Sequence, residues 1–232
     1  CQLDFAYNGK AGIEKALDTV PDLIVSDVMM PIMDGFEVLA KLKEDERTSH
    51  IPIILLTAKA DVQSRLAGLR RGADAYLSKP FNREELLVTV DNLLRLRLKL
   101  QKHYSKLLSE APAAVARPAS SDPENLFLQK IRSLVEENLS DSNFEIVHLE
   151  RALAMSRSQI YRKVKALTGK SPSAFIRSIR LHRGRHLLLT SDLSISEIAY
   201  DVGYAALNSF SDAFLEEFGE RPMKFRDDAS GQ

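Results

Sequence analysis

Three residues of different chemistry stand at the ends of three short apolar runs. Asp27 follows Leu23-Ile24-Val25-Ser26, Thr57 closes Ile53-Ile54-Leu55-Leu56, and Lys79 follows Ala75-Tyr76-Leu77-Ser78. If the runs are parallel strands, their carboxyl ends share one rim, where open α/β sheets bind ligands. A carboxylate, a hydroxyl and an ammonium together suit phosphoryl transfer to a carboxylate. Asp27 would attack, Thr57 would donate to a phosphoryl oxygen, and Lys79 would neutralise another. Taken singly, Asp27 reads as a cap or turn residue, Thr57 as a plain strand end and Lys79 as a solvated lysine. Their common position carries the chemical reading. Lys79-Pro80 adds an X-Pro bond, for which a cis isomer that aims the lysine inward is open.

The elements that must position them follow from periodicity. Leu23-Ile24-Val25 and Ile53-Ile54-Leu55-Leu56 are β-branched-rich and bounded by proline or polar residues, as strands buried on both faces are, and Ala75-Tyr76-Leu77 reads as a third short strand. Phe36, Val38, Leu39 and Leu42 follow a helical period, a helix is expected from Val62 to Arg71 with Gly72 at its C′ position, and a leucine-rich helix from Glu84 to about Leu100. This alternation implies a doubly wound α/β domain over residues 1–100. Residues 109–124, with Pro112, Pro118 and Pro123 among serines and alanines, read as a linker inside a wider connection, 101–125. The remainder, 126–228, is all-α, with helices expected near 125–139, 145–154, 157–168, 173–190, 194–202 and 207–218.

Residues 1–100 resemble the receiver domain of two-component response regulators. The resemblance rests on Pro21 to Pro31 around Asp27, Met33-Asp34-Gly35, Thr57-Ala58-Lys59, Gly72 to Tyr76, and Lys79-Pro80-Phe81. It implies a flavodoxin-like fold with Asp27 as phosphoacceptor, Thr57 as switch hydroxyl, Lys79 as the phosphoryl-binding lysine and Tyr76 as switch aromatic. It also implies Mg²⁺ held by Asp27, the backbone carbonyl of Met29 and an acidic pair. That pair ends the family's first strand, whereas Cys1 to Phe5 matches its second. The receiver is therefore expected to be incomplete, lacking its first strand and helix. Weak Mg²⁺ binding and no phosphorylation are expected of this chain alone.

The helix expected from Arg157 opens after Ser156, with Gln159 completing a capping box. Ile160, Val164 and Leu167 form its buried stripe. Ser158, Tyr161, Arg162 and Lys165 form another face, suited to a major groove. Arg162 can chelate a guanine edge, and Lys165 suits phosphate. The preceding helix, with Val147, Leu149, Ala152 and Leu153 apolar, completes a helix–turn–helix. From Arg151 to Arg185 the chain carries ten lysines and arginines and no acidic residue. Mixed signs are usual on solvated helices, so this run points to phosphate attraction.

Residues 126–226 resemble the DNA-binding domain of AraC-type transcription regulators. The carrying residues are Met155-Ser156, Tyr161-Arg162-Lys163, Leu167 to Pro172, Ile195 to Tyr204, Phe210, Phe214, Phe218-Gly219 and Pro222. The resemblance implies two helix–turn–helix units joined by a long helix over about Pro172–Thr190. Asn208, Ser211 and Asp212 are candidate DNA-binding residues of the second recognition helix. Two departures bear on it. Gly184 sits mid-helix, at a cost of roughly 1 kcal/mol unless it permits close packing. Asp212, Glu216 and Glu217 place acid on the second recognition helix, so the first unit is expected to supply affinity, the second only position or specificity. Phe210, Phe214 and Phe218 read as core.

The whole chain has 232 residues, with 32 basic and 32 acidic, 44% hydrophobic and 28% charged. These values exclude a fully disordered or collagen-like chain. Zero net charge argues against a nucleic-acid partner only until it is divided: residues 1–100 hold 14 basic and 15 acidic residues, residues 126–226 hold 15 and 12. One cysteine forms no intrachain disulfide, which fits a reducing compartment. No apolar run has membrane-spanning length.

Together these features read as a phosphorylation-controlled, sequence-specific transcription regulator. Its expected partners are double-stranded DNA, a histidine kinase domain in cis or in trans, and a second copy on activation. A cytoplasmic location without membrane contact is expected of this segment. The domain order also resembles the C-terminal part of hybrid two-component proteins. On that alternative the truncated receiver is only a dimerisation or interaction module, in a parent that carries kinase activity and can be anchored in the inner membrane. An aspartate-nucleophile phosphatase is disfavoured, because Met29 stands where that family has its second aspartate.

Overall fold

The computed structural model describes residues 3–58, 73–109 and 122–230. The helix expected over Val62 to Arg71, and most of the expected linker, lie outside them. By contacts the chain divides into two compact units: Cys1–Lys102 with Ser158–Leu167, and His103–Arg157 with Thr168–Gln232.

In the first unit, α1 (Gly9–Thr19) starts where the Asn8 side chain accepts from the Ala11 amide, and ends at Val20 in the left-handed region. Strand β1 (Ile24–Asp27) leads to α2 (Gly35–Glu44), which opens with an Asp34/Glu37 capping box. Strands β2 (Ile53–Ala58) and β3 (Ala75–Lys79) follow, then α3 (Arg83–Ser109). The strands are parallel in the order β1-β2-β3. Their core gathers Val28, Val38, Leu39, Leu42, Ile53 and Leu55, with Ile24, Phe36 and Tyr76 packed against it.

Two expectations are corrected here. Leu3 to Phe5 form no strand, and Leu3 and Phe5 are exposed. A strand exists only by bonding a neighbour, and among the described residues β1 pairs with β2 alone. The linker is shorter than 109–124 at both ends: α3 runs to Ser109, and Asp122 caps the next helix, in which Pro123 takes the first turn. Proline is preorganised there and loses no bond. Helix α1 was not anticipated from the apolar pattern.

The all-α part comprises α4 (Pro123–Glu137), α5 (Ile146–Leu153), α6 (Arg157–Thr168), α7 (Pro172–Thr190), α8 (Ile195–Asp201), α9 (Leu207–Phe218) and α10 (Pro222–Ser230). Only α10 has no counterpart among the expected helices. A core of Leu181, Leu188, Ile198, Ala199, Val202, Phe210 and Phe214 binds α7, α8 and α9 together. Gly184 lies in it: a Cβ there would stand 2.9 Å from the Phe210 ring. Close packing, then, is what the mid-helix glycine permits. Gly184→Ala is expected to lower stability by about 1–2 kcal/mol, although alanine is the better helix former. A denaturant midpoint that rises would contradict this.

Candidate functional site

Register brings the three strand-end residues to one edge. Asp27 pairs with Leu56, Thr57 with Ser78, and Ala58 with Lys79, so all three lie within two residue levels of the β1-β2-β3 carboxyl rim. The Lys79 ammonium donates to Asp27 Oδ2 at 2.5 Å, and the Met29 amide donates to Asp27 Oδ1 at 3.2 Å. Thr57 is buried, whereas the side chains of Asp27 and Lys79 remain 33% and 44% exposed, open to a ligand from solvent. The Lys79–Pro80 bond is cis. Tyr76 is partly buried and packs against the core cluster.

Gly35 holds this rim together. Its amide donates to the Val28 carbonyl at 3.0 Å, and a Cβ at that position would stand 2.4 Å from the Asp27 carbonyl oxygen. Any larger residue would push α2 away from the strand that carries Asp27.

The fit to Mg²⁺ is incomplete. Hard cations of this kind are held through carboxylates. Asp27 is already engaged by Lys79, and among the described residues no group of three His, Cys, Asp or Glu could hold a metal. Asp27 and the Met29 carbonyl alone do not make the site.

On α6, Ile160 and Val164 are fully buried and Leu167 nearly so. Ser158, Tyr161, Arg162 and Lys165 are exposed. The predicted stripe is buried and the predicted polar face is exposed, but Lys163 is fully buried as well. On α9, Asn208 and Asp212 are exposed and Ser211 is half-buried, whereas Phe210 and Phe214 are fully buried. Phe214 lies 5.6 Å from Phe210 and 4.5 Å from Phe218, ring centre to ring centre, so all three are core aromatics.

Charge is distributed more narrowly than the sequence suggests. Of the ten cations between Arg151 and Arg185, Lys163 and Arg180 are buried. Arg180 donates to the Asp141 carbonyl at 2.5 Å and to the Gly203 carbonyl at 3.3 Å. Burial lowers its pKa from the ordinary guanidinium range. The Arg185 guanidinium covers the rings of Phe218 and Phe225 at 5.3 and 5.1 Å. Arg151, Arg157, Arg162 and Lys165, on α5 and α6, and Arg177, on α7, are the exposed ones.

The acidic residues of α9 are likewise not a bare anionic face. Asp212 pairs with Arg221 at 3.5 Å and Glu216 with Arg177 at 3.1 Å. Glu217 turns toward α7, where its Oε1 accepts from Lys170 at 2.7 Å and from the Ser178 hydroxyl at 2.7 Å. Burial pushes the Glu217 carboxyl up, but the bonds from Lys170 and Ser178 outweigh that and hold it below the usual range.

His182, 3.9 Å from Glu217 and edge-on to Phe218, completes this cluster. Sequence reading missed it, because Glu217 on α9 lies far along the chain from Lys170, Ser178 and His182. Burial lowers the His182 pKa to about 4; Glu217 acts to raise it, and Lys170, Arg185 and Arg132 lower it further. Between about 4 and 6.5 the unfolded chain binds a proton that the folded one refuses. The stability contributed by His182 is thus complete above that window and is lost as pH falls through it. The denaturant midpoint is expected to fall between pH 7 and 5, and less in His182→Gln. An equal fall in both proteins would contradict this assignment.

Among the described residues no helix is long and apolar enough to cross a membrane.

Both parts of the chain match known families. Residues 1–91 match the response regulator receiver domain family, and residues 149–228 match a helix-turn-helix domain family. Histidine kinase P4 of Formosa agariphila is 38% identical over 98% of this chain, which spans 16% of that protein's length. The DNA-binding dual master transcriptional regulator RpaA of Synechocystis is 37% identical, over 78% of this chain and 73% of that protein. Among solved structures, the C-terminal domain of the response regulator AraT from Geobacillus stearothermophilus is 27% identical. It covers 48% of this chain and 88% of its own, with a TM-score of 0.41. With a receiver-type sheet that gathers Asp27, Thr57 and Lys79 ahead of an AraC-type helical domain, the chain belongs to the response regulators.

Proposed function

We propose that this chain is a phosphorylation-controlled, sequence-specific DNA-binding regulator in which Asp27 is the phosphoacceptor and α6 the principal reader. The ion pair between Lys79 and Asp27, beside Thr57, is the observation that carries the switch. In transfer from a kinase phosphohistidine, a bond forms between an Asp27 carboxylate oxygen and phosphorus while the bond from phosphorus to the imidazole nitrogen breaks. Lys79 then moves its charge to a phosphoryl oxygen, and Thr57 donates to another. That rearrangement would bias Tyr76, favour a dimer and raise affinity for repeated sites. The kinase acts in cis or in trans, and the segment works in the cytoplasm.

A second reading treats the receiver as an interaction module only. Among the described residues no group of His, Cys, Asp or Glu that could hold a metal stands around Asp27, which favours it. On that reading, dimerisation is indifferent to phosphodonor.

The reader is tested on a duplex that the full chain selects from random DNA. Arg162→Ala is expected to cost about 1–3 kcal/mol on that duplex and to relax preference at one base pair. Lys165→Ala should weaken all duplexes alike and reduce the salt dependence by about one charge. Equal losses for Arg162→Ala on selected and random DNA would remove its base-reading role.

A further inference from the structure

The second recognition helix meets the central helix through a polar cluster as well as an apolar core. Lys170 donates both to Ser178, at 2.9 Å, and to Glu217. Ser178 also donates to Glu217, so one carboxylate oxygen receives two bonds, from the second turn of α7 and from the turn before that helix. The Lys170 and Glu217 side chains are only 29% and 21% exposed, and Ser178 is fully enclosed.

Such a cluster is a poor source of stability, because desolvating the charges offsets most of their attraction. It is a good source of geometry, because a fixed ammonium and a fixed hydroxyl accept one placement of the carboxylate. An apolar contact alone lets a helix slide or roll by a rotamer's width. Here Phe210 presses on Gly184 at one end of the α7–α9 contact, and Glu217 is tethered near the other. The outer pair from Arg177 to Glu216 is exposed and adds little.

We propose that Glu217 is a positioning residue. Held by Lys170 and Ser178, it fixes the roll of α9 on α7, and so the direction in which Asn208, Ser211 and Asp212 present themselves to bases. This rests on the DNA-binding reading and adds to it: the acidic end of α9 orients the reader without touching DNA.

The test uses the full chain and the duplex selected by it. Asn208→Ala first identifies the base pairs that α9 reads. Glu217→Gln is then expected to reduce preference at those pairs at least fivefold while leaving preference at the Arg162-dependent pair unchanged. Lys170→Met should do the same. Should either single variant unfold, Lys170→Met combined with Glu217→Gln leaves no charge buried alone; it should fold and still lack the preference.

Uniform weakening on every duplex, with base preference intact, would mean a merely structural role and would overturn the inference. So would wild-type preference in the folded double variant. A wild-type chain that enriches no sequence would instead remove the DNA-binding reading, and this inference with it. Enrichment by the wild type together with retained preference in Glu217→Gln would remove the inference alone.

Discussion

Phe214→Ala is expected to destabilise the second unit by about 3–5 kcal/mol, the range for emptying a large aromatic site in a core. Phe214 is fully buried. It contacts Phe210, Phe218 and Phe225 with ring centres 5.6, 4.5 and 5.8 Å away. Such aromatic contacts add to the area term. Removing the ring leaves a cavity lined by three others, and helices α7, α8 and α10 cannot all close onto it at once. A domain with an ordinary margin of about 5–15 kcal/mol would lose a large share of it. The check is a denaturant titration of wild type and variant, read by far-ultraviolet circular dichroism. A shift under about 1 kcal/mol would mean that Phe214 is not the keystone of this core. Were Phe214 a base-stacking residue, the same variant would instead keep its stability and lose DNA binding.

Asp27→Asn is expected to abolish phosphoryl uptake outright, since the amide cannot serve as the nucleophile. The unaltered chain is itself expected to take up none, because among the described residues no group of His, Cys, Asp or Glu could hold Mg²⁺ beside Asp27. The measurement therefore needs a chimera, with the first strand and helix of a complete receiver joined ahead of Leu3. Label from a phosphorylated kinase should enter the chimera, enter more slowly with Thr57→Val, and be absent with Asp27→Asn. Label on the unaltered chain that Asp27→Asn removes would show that the acidic pair is dispensable. Label on the chimera that survives Asp27→Asn would place the phosphoryl group elsewhere.

Much of this architecture is readable in the amino-acid sequence, for identifiable reasons. Strands β1 and β2 are short and rich in β-branched residues, so composition marks them, although Val25 of β1 stays 44% exposed and only β2 is largely buried. Asp27, Thr57 and Lys79 sit at the strand ends, so parallel register alone brings the three together. The faces of α6 follow from the 3.6-residue period.

Other features depend on contacts between elements distant in sequence. Arg180 and Lys170 count as cations in any charge tally, yet one is buried against backbone carbonyls and the other is bound to Glu217. Glu217 reads as an acid on a DNA-facing helix until the turn of α9 places it against α7. Gly184 reads as a helix defect until Phe210 is seen beside it. The apparent strand at Leu3 to Phe5 shows the converse: its pattern is right, but a strand requires a bonded neighbour.

The central claim is that the state of Asp27 sets affinity for DNA. The direct measurement is the dissociation constant of the chimera for the duplex it selects, before and after phosphotransfer. Coupling between two sites of a switch is typically about 1–3 kcal/mol. Binding is expected to be about tenfold tighter after transfer, and unchanged in Asp27→Asn. Equal affinities for the phosphorylated and unphosphorylated chimera would contradict the claim.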